Sequence, residues 1–121
     1  MSDETRKAVE GYFHAWTTKK VGEAHAWLAK DLKFRGPTAS YESADEFLPA
    51  LEKFAAMTKS ASLLELIVEG ERAAMLYDCD LAPIGTIRIA SFFHVKNGKI
   101  TTYETWFDAT ELRKLQARAT R

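Results

Sequence analysis

Apolar and polar positions follow a helical period in the first half of the chain and a strand period in the second. From Ser2 to about Thr17, Ala8, Tyr12, Ala15 and Trp16 recur at helical spacing, with Val9 and Phe13 widening the stripe. They share one helix face, and Ser2 or Asp3 supplies the N-cap. A second helix is expected from about Val21 to Ala29 on Ala24, Trp27 and Leu28, ending where Asp31 interrupts the pattern. Leu32 and Phe34 then read as a short strand that Gly36-Pro37 stops, because proline has no N–H for a ladder. Ser43 followed by Glu46 is a capping-box arrangement. Phe47, Leu51 and Phe54 make the apolar face of the third helix it opens, with Pro49 able to kink that helix or delay its start.

Leu63 to Glu69, Ala73 to Leu81, Ile84 to Lys96 and Lys99 to Phe107 are rich in Ile, Val, Phe, Tyr and Thr, and predict four strands. Glu69-Gly70-Glu71, Pro83 and Asn97-Gly98 supply the turns, so the strands pair antiparallel. A polar helix from Ala109 to Ala119 can follow. Helices first and a strand meander after them give an α+β fold: N-terminal helices packed on one face of a curved mixed or antiparallel sheet. Residues 1–121 read as one domain with its core at about 5–110 and a polar tail or helix at 111–121. Strand alternation sends Leu76, Phe92 and Trp106 to the uncovered sheet face, an apolar exposure that suits a symmetric homodimer.

Composition narrows the partners. Hydrophobic residues at 46% and charged residues at 28% are those of a globular chain of 121 residues, long enough for a core without staples. Lys plus Arg and Asp plus Glu balance at 17 each and are interspersed, so no field draws nucleic acid or anionic lipid. The C-terminal basic run of Arg113, Lys114, Arg118 and Arg121 reads as a solvated face. Cys79 stands alone, which excludes an intrachain disulfide and a cysteine metal cluster and fits a reducing compartment. Acids at the N-terminus and the lack of a membrane-length apolar run point to a cytoplasmic protein with no membrane partner.

Groups that move protons or bind metals are sparse. His14, His25 and His94 match no metal motif, and His14 and His25 sit on helix flanks among alanines, so no metal site is expected. Asp78 and Asp80 share a strand parity that points away from Tyr77 and Cys79. Ser91 lacks a Gly-x-Ser-x-Gly setting, Cys79 has no nearby histidine in sequence, and phosphate-binding glycine loops are absent. What remains is an aromatic set of Tyr12, Trp16, Phe34, Phe47, Phe54, Tyr77, Phe93, Tyr103 and Phe107, mostly core, with a subset suited to lining a pocket for a flat or oily molecule.

Gly11-Tyr12-Phe13-His14-Ala15-Trp16, Phe34-Arg35-Gly36-Pro37 and Phe92 through Ile100 to Trp106-Phe107-Asp108, in this order of elements, resemble the SnoaL-like, ketosteroid-isomerase-like group of the nuclear transport factor two fold over roughly residues 5–110. The resemblance implies a cone-shaped pocket, a homodimer through the outer sheet face and no cofactor. Tyr12 matches the position of an oxyanion-stabilising tyrosine in similar isomerases, whereas Gly36 and Ser91 stand where those enzymes carry a proton-shuttling carboxylate and a protonated aspartate. SnoaL-like cyclases also place an acid at the Ser91 position, and epoxide-hydrolase-like members place one at the Thr105 position, with Tyr77 and Cys79 at corresponding earlier sites. A serine without a partner does not replace a carboxylate base at neutral pH.

Three readings follow. One is a binding protein for an apolar or aromatic molecule whose pocket comprises Tyr12, Trp16, Phe34, Phe54, Tyr77, Cys79, Ser91, Phe93, Tyr103, Thr105 and Phe107, with hydrogen bonds from Tyr12 and Ser91. On that reading Tyr12→Phe should loosen the ligand and leave the fold intact. The second is an isomerase, cyclase or dehydratase for a polyketide- or steroid-like substrate, with Asp31, His25 or Asp108 as an unusual base. The third is an assembly module whose pocket is filled by its own side chains.

Overall fold

The N-terminal apolar stripe is buried along its length in a computed structural model that describes residues 2–119. Met1, Thr120 and Arg121, the last of the basic run, lie outside the described residues. Helix α1 spans Ser2–Thr17 and buries Thr5, Ala8, Val9, Tyr12, Ala15 and Trp16. It already runs from Ser2, so Asp3 lies with Glu4 in its first turn, where acids complement the helix dipole, and is not the N-cap.

Helix α2 is Val21–His25, shorter than its apolar spacing predicts. Leu28, expected on its buried face, begins strand β1, Leu28–Arg35, and pairs with Ile100, whose N–H donates to the Trp27 carbonyl at 2.8 Å. These long-range ladder bonds satisfy backbone groups that another helical turn would leave competing for partners. Strand β2, Ser40–Tyr41, turns back antiparallel on β1 and is too short to show a period in the sequence. Helix α3, Ala44–Met57, has the expected N-cap: Glu46 N–H donates to Ser43 Oγ at 3.1 Å. It continues through Pro49 as one element.

Strand β3, Thr58–Glu69, follows α3 directly and starts earlier than the Leu63 expected. Strands β4, Arg72–Leu81, β5, Gly85–Lys96, and β6, Lys99–Trp106, lie within one residue of their predicted bounds. Asn97 and Gly98 both have positive φ, 52° and 76°, the geometry of a two-residue hairpin turn. Helix α4, Thr110–Ala119, closes the described chain.

The six strands order as β2-β1-β6-β5-β4-β3, antiparallel except for the parallel β1–β6 pair. Register shifts in β3–β4, β5–β6 and β1–β6 mark irregularities of the bulge kind, which bend strands, and the sheet is curved. Strand β4 alternates strictly, with Ala73, Met75, Tyr77, Cys79 and Leu81 buried beneath the helices. On the outer face Phe92 is 51% and Trp106 45% exposed, Leu76 is half-buried, and Asp78 pairs with Arg88 at 2.8 and 3.0 Å. Among the described residues no helix is long and apolar enough to cross a membrane.

Candidate functional site: a cavity under the helices

A cavity of about 500 Å³ lies between the concave sheet face, α3, α4 and the segment linking β1 to β2. Its walls are aromatic because α1, β1, α3 and the strands β4 and β6 each deliver at least one ring. Phe34 of β1 stacks on Phe47 of α3 with centroids 4.5 Å apart and meets Tyr103 of β6 edge-on at 5.1 Å. Trp16 of α1 meets Phe54 and Tyr77 edge-on at 5.8 and 6.1 Å, and Phe54 in turn meets Phe107 at 6.2 Å. These rings hold one another in preferred edge and offset geometries.

The sheet side is polar in one place. Tyr77, Tyr103 and Thr105 face the cavity, and Ser91 lies behind them with its Oγ 3.0 Å from Thr105 Oγ1 and donating to the Tyr77 hydroxyl at 3.4 Å. Burial pushes Tyr77 well above the ordinary tyrosine range, with the Tyr103 hydroxyl adding to the rise. It pushes Tyr103 up as well, partly offset by the hydroxyls of Thr105, Tyr12, Ser91 and Tyr77. All of these groups are therefore neutral at neutral pH, able to donate to a ligand oxygen.

Of the residues expected at a pocket, Trp16, Phe34, Phe54, Tyr77, Tyr103, Thr105 and Phe107 line this cavity. Tyr12, Cys79, Ser91 and Phe93 do not. Tyr12 is fully buried between α1 and the sheet, edge-on to Tyr103 at 5.3 Å, and its hydroxyl has no hydrogen-bond partner among the described residues. Burial is the main reason its ionisation lies well above the usual range, and the neighbouring Tyr103 and Tyr77 hydroxyls add to the rise. Phe93 is stacked flat on Tyr103 at 4.8 Å and so belongs to the packing under the wall. Burial pushes the Cys79 thiol up to about 12, aided by the Asp78 charge, so it is no thiolate at neutral pH.

The bases considered from sequence stand elsewhere. Asp31 is exposed on β1. His25 Nε2 is 3.1 Å from Asp45 Oδ1, tying α2 to the start of α3. Asp108 accepts from the Thr110 hydroxyl at 2.7 Å and its N–H at 3.1 Å, and these bonds hold its carboxyl below the usual range. Among the described residues the acidic and basic side chains that do line the cavity are Glu46 and Lys53 of α3, both exposed and so at its rim. Sequence reasoning passed over them, although each directly precedes an aromatic of the apolar face, Phe47 or Phe54. Leu112 and Leu115 of α4 also line the cavity, and their spacing in an otherwise polar helix was the available signal. Among the described residues no group of three or more His, Cys, Asp or Glu side chains could hold a metal ion.

This cavity, roofed by helices over a bent sheet, coincides with a family match: residues 9–103 fit the SnoaL-like domain. The chain belongs to the SnoaL-like family. Solved structures agree on the fold. This SnoaL-like chain resembles a protein from Kribbella flavida DSM 17836 at 23% identity and TM-score 0.87, over 95% of this chain and 96% of that one. An NTF2-like protein of unknown function from Cytophaga hutchinsonii shares 25% identity at TM-score 0.80, covering 89% and 93% of the two chains. An LEH-like epoxide hydrolase from M. tuberculosis shares 18% identity at TM-score 0.75 over 98% and 97%. None of the curated proteins compared with this SnoaL-like chain matches it. The family match begins inside α1 and ends at Tyr103 within β6, so Phe107 and α4 lie outside the matched residues.

Proposed function

We propose that the protein binds one apolar or aromatic small molecule in the cavity, as a cytoplasmic homodimer that needs no cofactor and lacks the acids of its catalytic relatives. The observation that carries this reading is the distribution of polarity in the cavity: rings on its walls, neutral hydroxyls on its sheet side, and charge at the rim. A molecule entering with an acceptor oxygen foremost receives hydrogen bonds from Tyr103, Tyr77 or Thr105 while its apolar body meets Trp16, Phe34 and Phe54. A carboxylate entering first would find no cation there, and an amine no anion. Position 36 fits the same reading, because a side chain on Gly36 would begin 3.0 Å from the Phe34 ring, a crowded start for an acid.

One observation favours a second reading, an isomerase, cyclase or dehydratase for a polyketide- or steroid-like substrate: the Glu46 carboxylate is part of the cavity rim. The two readings separate on incubating the protein with steroid, polyketide and terpene-like compounds and following bound mass and product together. Retention without product, weakened about tenfold by Tyr103→Phe through loss of one donor, is the expected result. Product formation abolished by Glu46→Gln would replace it with the enzymatic reading, and retention of no compound would reject both.

A further inference from the structure

Helix α4 is ten residues long, too short to be stable by itself in water. Its large apolar side chains are Leu112 and Leu115, and both line the cavity, as Gln116 does. A surface helix ordinarily rests its whole apolar stripe on packed side chains; this one buries Leu112 but leaves Leu115 half-buried beside the cavity, and so gains less from docking than its sequence offers. Phe107 to Ala109, which join it to β6, are in neither helix nor strand. The far side of the rim is reached by one long side chain: Arg113 Nη2 donates to the Pro37 carbonyl at 2.6 Å, bridging α4 to the segment between β1 and β2.

We propose that α4 is a lid, hinged at residues 107–109 and latched by Arg113 on the Pro37 carbonyl, that opens to admit a small molecule and completes its own packing when the cavity is filled. The geometry makes the two halves of this device complementary. Unlatching exposes Leu112, which is buried, and Leu115, which is half-buried, and no third large apolar side chain of the helix, so opening costs less than undocking a fully apolar face. A bound apolar molecule supplies the missing contact surface for those two leucines, so occupancy favours closure. The ligand's role rests on the binding proposed above; the opening of the helix does not.

The test therefore reads access to the cavity without a ligand. In a Trp27→Phe, Trp106→Phe background, Trp16 is the remaining tryptophan and borders the cavity, so acrylamide quenching of its fluorescence measures entry. Arg113→Ala should raise the quenching constant about fivefold, the change in open population from losing one hydrogen bond, with Arg113→Lys falling between. Equal quenching with and without the Arg113 side chain overturns the lid. Should that background melt early, hydrogen exchange followed by mass spectrometry in the chain with its own tryptophans decides: Arg113→Ala should speed α4 amides about fivefold and leave α1 amides alone, and unchanged α4 exchange overturns the proposal. The dye 8-anilinonaphthalene-1-sulfonate then separates the two ideas. Faster dye association and dissociation in Arg113→Ala supports lid and binding together. Raised quenching with no dye uptake by either protein upholds the lid and counts against the binding reading.

Discussion

A single hydroxyl shows how far apart a residue's type and its role can lie. Tyr12 has the ring and the helix position of a ligand-holding tyrosine, yet its hydroxyl is sealed beneath α1 with no hydrogen-bond partner among the described residues. A buried polar atom without a partner carries its desolvation cost and no compensating bond. Tyr12→Phe is thus expected to raise the unfolding free energy by ~1 kcal/mol in urea titrations and to leave ligand retention unchanged, the reverse of what the sequence suggests. A loss of stability would show that the hydroxyl finds a partner in solution. Tyr103, two residues before Thr105 on the same inward face of β6 and expected at the pocket alongside Tyr12, does line the cavity.

At the scale of elements, local chemistry governs where segments begin and long-range pairing governs where they end. Ser43 caps α3, and Asn97-Gly98 turns β5 into β6, as their side chains dictate. The end of α2 is set by β6, which hydrogen-bonds Trp27 and pairs with Leu28. Helix α4 is held at its start by Asp108, whose carboxyl lies below the ordinary range because of its bonds to Thr110. A carboxyl depressed in the folded state stabilises that state above its unfolded pKa, about 3.9 for aspartate, and the contribution fades as pH falls through the folded value. Thermal melts of the natural chain and of Asp108→Asn should accordingly differ by a constant amount above about pH 5 and approach each other as pH falls from about 4 through the lower, folded value. A difference that is the same at pH 3 and pH 7 would remove the charge of Asp108 from the stability of the α4 cap. The site is exposed, so the effect is small.

For the whole molecule, the outer sheet face matters most. Phe92 and Trp106 are exposed there, Ile67 is 63% exposed on the same face of the edge strand β3, and the Asp78–Arg88 pair lies on that face too. An apolar surface of this kind in a water-facing sheet fits the proposed homodimer. Sedimentation should find the natural chain as a dimer and Phe92→Glu as a folded monomer, because burying a carboxylate of each subunit in an apolar interface is costly. A natural chain that sediments as a monomer at micromolar concentration would dismiss the dimer. The cavity is a whole-molecule property as well, since α1, α3, α4 and the sheet each contribute to its walls and no local segment of the chain encloses it.

The order of the longer helices and strands, the Ser43 cap, the Asn97-Gly98 turn and the inward and outward faces of β4 to β6 were determined by the sequence alone. Each depends on neighbours within a turn or two along the chain, or on the fixed period of a strand. The tertiary structure decided which rings face space and which are packed behind them: Phe93 and Tyr12 have the same apolar character as Phe34 and Phe54, and only the curvature of the sheet and the tilt of the helices separates them. It likewise decided the parallel β1–β6 pair, the truncation of α2 and the placement of α4 over the cavity, because those depend on hydrogen bonds and contacts between segments far apart in the chain.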